Sequence, residues 1–258
     1  MKYIDKFFLK KPHFRRIVTR ILEGNRNIKK VFLGHDILIH SIKEHGYLRT
    51  SRLIDTSAFL RDELPVIMNI STILNDCDTI VDIGANIGIY SIIFSRFKKI
   101  KKNIEIYAYE ANPDTFERLQ INANKYKFNA FNLALSNKNK SVKFVEGAVS
   151  HVFTSIENQS TYNFGEKVIE VMTEKLSQQN IKGNSLILKV DVEGHELEVL
   201  EGSQDFFDKS RIKAVFVDRF ENVGVILFLK KYGFLLLNAQ TLEETSEVGG
   251  QLLALRNL

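Results

Sequence analysis

The chain is expected to fold as an α/β protein. It should build a mostly parallel seven-stranded sheet ending in an antiparallel hairpin, with an N-terminal helical extension in front. Three observations predict this. From residue 79 onward, apolar runs of strand length alternate with segments of helical period, the pattern of a parallel sheet with helices on both faces. Asp82-Ile-Gly-Ala-Asn-Ile-Gly88 lies between the apolar runs Thr79-Ile-Val and Ile89-Tyr-Ser-Ile-Ile-Phe94, which reads as strand, tight turn, helix. Finally, Phe234-Leu-Leu-Leu237 and Leu252-Leu-Ala-Leu255 are joined by the polar stretch 240–250, which has no helical period, so they should pair as a terminal hairpin.

Strands are expected at 79–84, 104–110, 129–135, 185–191, 212–219, 233–238 and 251–256. Residues 1–77 read as a mainly helical extension with several breaks, and residues 78–258 as the main domain. Within that domain 137–184 reads as an insertion, a substrate lid or wall, with short strands at Val142–Glu146, Val152–Ile156 and Lys167–Met172. Asn112-Pro113-Asp114 has the chemistry of a helix start: a capping amide, a proline for the first turn and a carboxylate for the positive end of the dipole. Phe116, Leu119, Ala123 and Tyr126 then follow at helical spacing as core.

Gly84 and Gly88 are expected to let backbone approach a ligand closely. Two common nucleotide loops do not fit. No Gly-Lys-Ser/Thr occurs, so there is no phosphate loop, and Asn86 stands where a dinucleotide fingerprint needs its second glycine. Asp82 places a carboxylate beside the turn, which suits a cationic amino-acid ligand better than a pyrophosphate. The arrangement resembles the S-adenosylmethionine loop of Rossmann-like methyltransferases. Glu110 ends the next strand 22 positions after Gly88, where a carboxylate can hold both hydroxyls of a ribose.

A second dense segment, Leu186-Ile-Leu-Lys-Val-Asp-Val-Glu-Gly-His-Glu-Leu-Glu-Val-Leu-Glu-Gly202, reads as a buried strand ending at Asp191, a turn at Glu193-Gly194, and a short helix closed by Gly202 in a left-handed cap. In a doubly wound sheet this strand lies beside the first, so Asp191 should face the glycine turn.

Four motifs in order resemble the FkbM-type methyltransferases: Asp82-Ile-Gly-Ala-Asn-Ile-Gly88, Glu110-Ala-Asn-Pro113, Ala134-Leu-Ser136 and Lys189-Val-Asp-Val-Glu-Gly-His-Glu196. The resemblance implies a Rossmann-like class I methyltransferase fold and S-adenosylmethionine-dependent transfer to hydroxyl groups, of a saccharide first and of a small secondary metabolite second. It implies that Asp82, Gly84 and Gly88 meet the methionine end of the cofactor, directly or through water, and that Asn86 in the same turn also binds the cofactor. Glu110 and Asn112 then serve the ribose, and Asn132, Ala134 and Ser136 border the adenine. Asp191 contributes to both cofactor and chemistry. Four positions depart from the family pattern: Ala111 in place of proline, Asn137 in place of aspartate, Thr173-Glu-Lys-Leu176 in place of a Leu-Asp element, and Asp218 in place of glutamate.

For the chemistry, Asp191 and Glu193 are the candidate base and orienting group, with His195 next. The same two carboxylates could hold a divalent cation, but no third ligand recommends itself, so no metal ligands are assigned. The absence of any Pro-Pro favours oxygen over nitrogen as acceptor. A nicotinamide-dependent oxidoreductase and a non-catalytic cofactor-binding partner remain as alternatives of other classes. Cys77 is a lone cysteine, so neither a disulfide framework nor a cysteine-rich zinc site is expected.

The charge of +5 is uneven: residues 1–30 carry +8, leaving −3 for the rest. Phe14, Ile17, Val18, Ile21 and Leu22 share one helical face, with basic residues around the other. Packing on the protein itself, or peripheral contact with an anionic membrane, would each use such a helix. No stripe of arginine and aromatic residues supports nucleic-acid binding. Cytoplasmic residence, extending to the inner face of the membrane, is the expectation, since no apolar run approaches the roughly 18 residues of a span.

Overall fold

The computed structural model describes residues 12–49, 59–99, 104–146, 151–152 and 167–256. The chain divides into two compact units, with the division between Met68 and Asn69.

The first unit corrects the expectation of a mainly helical extension. After helix α1 (Pro12–Glu23) come two strands, β1 (Asn27–Phe32) and β2 (His35–His40), in an antiparallel hairpin. Leu33 and Gly34 both have positive φ, the geometry of the two-residue turns that match strand twist. A leucine at the first position gives no sequence warning of that turn. Phe32 anchors the unit's core, edge-on to Tyr47 and Phe59 with ring centroids 5.3 and 4.8 Å away. On α1 the apolar stripe does not provide the buried side. Ile17, Ile21 and Leu22 are 58, 77 and 75% exposed, whereas Thr19 is buried.

The second unit begins in helix α2 (Leu64–Ile73), which straddles the division. Five parallel strands follow: β3 (Thr79–Ile83), β4 (Glu105–Glu110), β5 (Asn129–Asn132), β10 (Leu186–Val190) and β11 (Ile212–Val217). Strands β12 (Phe234–Asn238) and β13 (Leu252–Arg256) complete the sheet in the order β12-β13-β11-β10-β3-β4-β5. Strand β13 enters antiparallel between β11 and β12, so the terminal hairpin is present as expected. The connecting helices are α3 (Ile89–Ser95), α4 (Pro113–Tyr126), α5 (Glu196–Gly202), α6 (Gln204–Asp208) and α7 (Gly224–Lys231). Strands β3 and β10 are buried at every position and their neighbours almost so, which is why they read as apolar runs, each broken by one charged residue, Asp82 and Lys189.

The third expected strand splits. After Asn132 the chain leaves the main sheet. Leu133 still donates to the Glu110 carbonyl, and Ala134–Leu135 then forms β6 in a second sheet. That sheet has the order β6-β9-β7-β8, with β7 (Lys140–Glu146), β8 (His151–Val152) and β9 (Lys167–Glu174). The expected strand Val152–Ile156 lies mostly outside the described residues. No helix among the described residues is long and apolar enough to cross a membrane.

Candidate active site

The carboxyl ends of β4, β3 and β10, adjacent in the sheet, carry Glu110, the glycine turn and Asp191. In the turn, Gly84 and Gly88 have φ of 70° and 86°. The space they keep clear is taken by protein. A Cβ on Gly84 would lie 1.8 Å from the Asp191 carbonyl oxygen, and one on Gly88 would lie 2.7 Å from Leu119 Cδ1. The glycines therefore join β3 to the β10 tip and α3 to α4. Gly202 also corrects the sequence reading. It has no positive φ and closes no left-handed cap; its missing side chain lets α5 approach Ser136, whose carbonyl oxygen would be 2.0 Å from a Cβ.

Asp82 was expected to reach a ligand, but it points inward. It is fully buried, Oδ2 accepts from the Ser91 hydroxyl at 2.7 Å, and Lys189 Nζ lies 3.2 Å from Oδ1. That Oδ1 contact lacks hydrogen-bond geometry, so it is ionic rather than directional. Direct contact from Asp82 to a ligand would require Ser91 or Lys189 to move.

Glu110 joins the turn to the start of α4. Its Oε2 accepts from Asn86 N–H and its Oε1 from Asn112 N–H, both at 2.9 Å. Burial pushes its pKa up to about 7, against the opposing pull of those two amides and of Lys189. Each oxygen keeps acceptor capacity beyond its one backbone bond. Asn112 caps α4 as expected: Oδ1 accepts from Asp114 and Thr115 N–H at 2.9 and 3.3 Å. Its Nδ2 and the Oδ1 of Asn86 are buried without hydrogen-bond partners, an arrangement proteins seldom leave unfilled. Asn132 is exposed, with Nδ2 donating to the Glu110 carbonyl at 2.9 Å, while Ala134 and Ser136 are buried.

At the β10 tip, Asp191 is 3.4 Å from Lys189 and keeps about a third of its side chain, 35%, exposed. Glu193 has φ of 51°, an unfavourable conformation for a side chain of this size. Partial withdrawal of its carboxyl from water raises its pKa, and Asp191, Asp218 and Glu196 push the same way. His195 does not face an open cleft. Nε2 meets the Ser136 hydroxyl at 2.9 Å and Nδ1 lies 3.6 Å from Glu198. Burial lowers its pKa, favouring the neutral ring. Its place as a second candidate base is thereby weakened, because the nitrogen that would accept a proton is already engaged. Among the described residues no group of three or more His, Cys, Asp or Glu is placed to hold a metal ion.

The family described as Methyltransferase FkbM domain matches residues 82–236, which holds every one of these groups. The chain belongs to the FkbM methyltransferase family. Hexuronic acid methyltransferase AglP of Haloferax volcanii is 34% identical over 150 residues, covering 55% of this chain and 57% of that protein. The chain thus matches little more than half the length of this curated relative. Among solved structures, an FkbM methyltransferase from Methylobacillus flagellatus is 14% identical with a TM-score of 0.46, over 70% of this chain and 44% of that one. A tRNA (uracil-54, C5)-methyltransferase from Pyrococcus abyssi is 11% identical with a TM-score of 0.42, over 90% and 44% of the two chains.

Three of the four departures from the FkbM pattern have structural roles here. Asn137 donates to Glu201, and the buried Thr173 hydroxyl donates to the Lys138 carbonyl at 2.7 Å, closing the second sheet. Asp218, at the end of β11, accepts from Gln251 at 2.8 Å and has its pKa raised by burial, then by Asp191. Sequence reasoning gave no functional role to Lys189. The available signal was a lone lysine inside the apolar run 186–190, since such a residue is seldom buried unpaired.

Proposed function

We propose that this chain binds S-adenosylmethionine across the tips of β3, β4 and β10 and catalyses methyl transfer to a hydroxyl of a saccharide. The observation that carries this is Glu110, a buried carboxylate bonded to the glycine turn and beside two orphaned polar atoms, Asn86 Oδ1 and Asn112 Nδ2. These groups suit a neutral, hydroxyl-rich ligand with a nitrogenous ring: spare carboxylate lone pairs for a ribose, one unfilled donor and one unfilled acceptor. When bound, S-adenosylmethionine supplies an electrophilic methyl group on a positively charged sulfur.

The chain's own residues would do the rest. Glu110 fixes the ribose, and Asp191, a half-buried carboxylate, faces the cationic end. Glu193 serves as base. Its raised pKa brings it closer to neutrality than an ordinary carboxylate, which improves proton acceptance from a weakly acidic hydroxyl. Asp191, held 3.4 Å from the Lys189 ammonium, is the orienting group. The second sheet, β6 to β9, would form part of the acceptor wall. A saccharide carrying a uronic acid is the first acceptor to test, because AglP is named for hexuronic acid. The exposed apolar stripe and basic flank of α1 suit peripheral contact with an anionic membrane.

The test incubates the purified chain with methyl-labelled S-adenosylmethionine and a panel of glycans with and without uronic acids. The expected result is labelled product on a saccharide oxygen, located by mass spectrometry. Label that stays on the cofactor across saccharides and small phenolic or alcoholic metabolites alike would overturn the assignment.

A further inference from the structure

We propose that Asp82 governs the site without touching the ligand: it anchors Lys189 and so keeps that ammonium from neutralising Asp191. This deepens the proposed cofactor assignment and rests on it. Lys189 and Asp82 are register partners on adjacent parallel strands, so their side chains rise from the same level of the sheet. The lysine is 4% exposed and its ammonium is surrounded. It donates to the Gly84 carbonyl at 2.8 Å, lies 3.2 Å from Asp82 and 3.4 Å from Asp191, and sits 5.4 Å from the Tyr90 ring centre. Two carboxylates thus share one ammonium, and the trio carries one net negative charge.

The two acids differ in position. Asp82 is fully buried and further fixed by Ser91, whereas Asp191 is 35% exposed at the strand tip. A buried ion pair is weak evidence for stability, since well-packed apolar groups often do as well. What the pair adds here is a division of labour. Attraction to Asp82 and the Gly84 carbonyl holds the ammonium inward, and the surplus negative charge falls on the outer acid, where a sulfonium or ammonium would meet it. With the charge of Asp82 removed, the same ammonium has Asp191 as its remaining carboxylate in the trio and should cancel it.

The test measures dissociation constants of S-adenosylmethionine and S-adenosylhomocysteine for the full chain by calorimetry, because these differ by the charge on sulfur. Asp82→Asn should weaken S-adenosylmethionine more than S-adenosylhomocysteine, lowering the affinity ratio by about threefold or more. Asp82→Asn combined with Lys189→Met removes both buried charges and frees Asp191, so the ratio should return to the wild-type value. A purely structural pair would lower melting temperature without this loss and rescue. If Asp82→Asn does not fold, the double variant still decides: it should keep the wild-type ratio and lose it on addition of Asp191→Asn. An unchanged ratio in folded Asp82→Asn, or in the triple variant, would overturn the inference while leaving the cofactor assignment intact. A wild-type chain that binds neither molecule would overturn both.

Discussion

The carboxylates at the tips of β3 and β4 contrast with those at the tip of β10. Asp82 and Glu110 are buried and bonded, to Ser91 and Lys189 in one case and to two backbone amides in the other. Asp191 and Glu193 stand further into solvent, one beside a cation and one on a strained backbone. Acidic residues in equivalent places of one sheet thus divide into those tied up in bonds to the protein and those left nearer solvent. Asp82 is held by the Ser91 hydroxyl and the Lys189 ammonium, and Glu110 by the Asn86 and Asn112 amides. Asp191 and Glu193 lie nearer solvent, and partial burial with its acidic neighbours raises the pKa of Glu193.

The contrast breaks most visibly at Glu193. If it is the acting base, Glu193→Gln should lower kcat by about 10²–10⁴-fold with little change in the cofactor's dissociation constant. Activity within a few-fold of wild type would move the base elsewhere. On the buried side, Gly84→Ala should destabilise the fold by at least about 3 kcal/mol, because a Cβ at positive φ would collide with the Asp191 backbone. Thermal or urea unfolding measures this, and a near-neutral change would mean that the turn and the β10 tip are not in contact.

The smallest effect is a pH dependence carried by Glu110. Its pKa is raised from 4.5 to about 7 by burial, so the folded protein favours the protonated form. The corresponding contribution to stability is fully present below 4.5 and is lost as pH rises through about 7. Binding runs the other way. Ribose hydroxyls donate to the charged carboxylate, so affinity for S-adenosylmethionine should fall as pH drops below about 7, by up to about tenfold per unit. Calorimetry across pH 5.5 to 8.5, which are about the limits of useful buffers around that value, should show the trend in wild type and a flat profile in Glu110→Gln.

Local pattern made much of this legible. The buried strands, the α4 start at Asn112-Pro113-Asp114 and the spacing of Glu110 from the glycine turn all follow from short-range chemistry, and the structure has them close to where they were expected. The β1–β2 hairpin was not legible, because Leu33-Gly34 is an unusual pair for its turn. Nor was the break after Asn132, where β6 leaves one sheet for another; both sides of that break are equally compatible with a strand.

Which groups stand at the strand tips, and in what order, is written in local pattern, because strand periodicity and turn chemistry act over a few residues. Which of those groups face inward is settled by long-range packing. Whether a glycine clears space for a ligand or for the next strand, whether His195 is open or spoken for by Ser136, and which acid Lys189 holds all depend on atoms more than 50 positions away along the chain. Burial is a property of what packs above a residue, and no local pattern contains it.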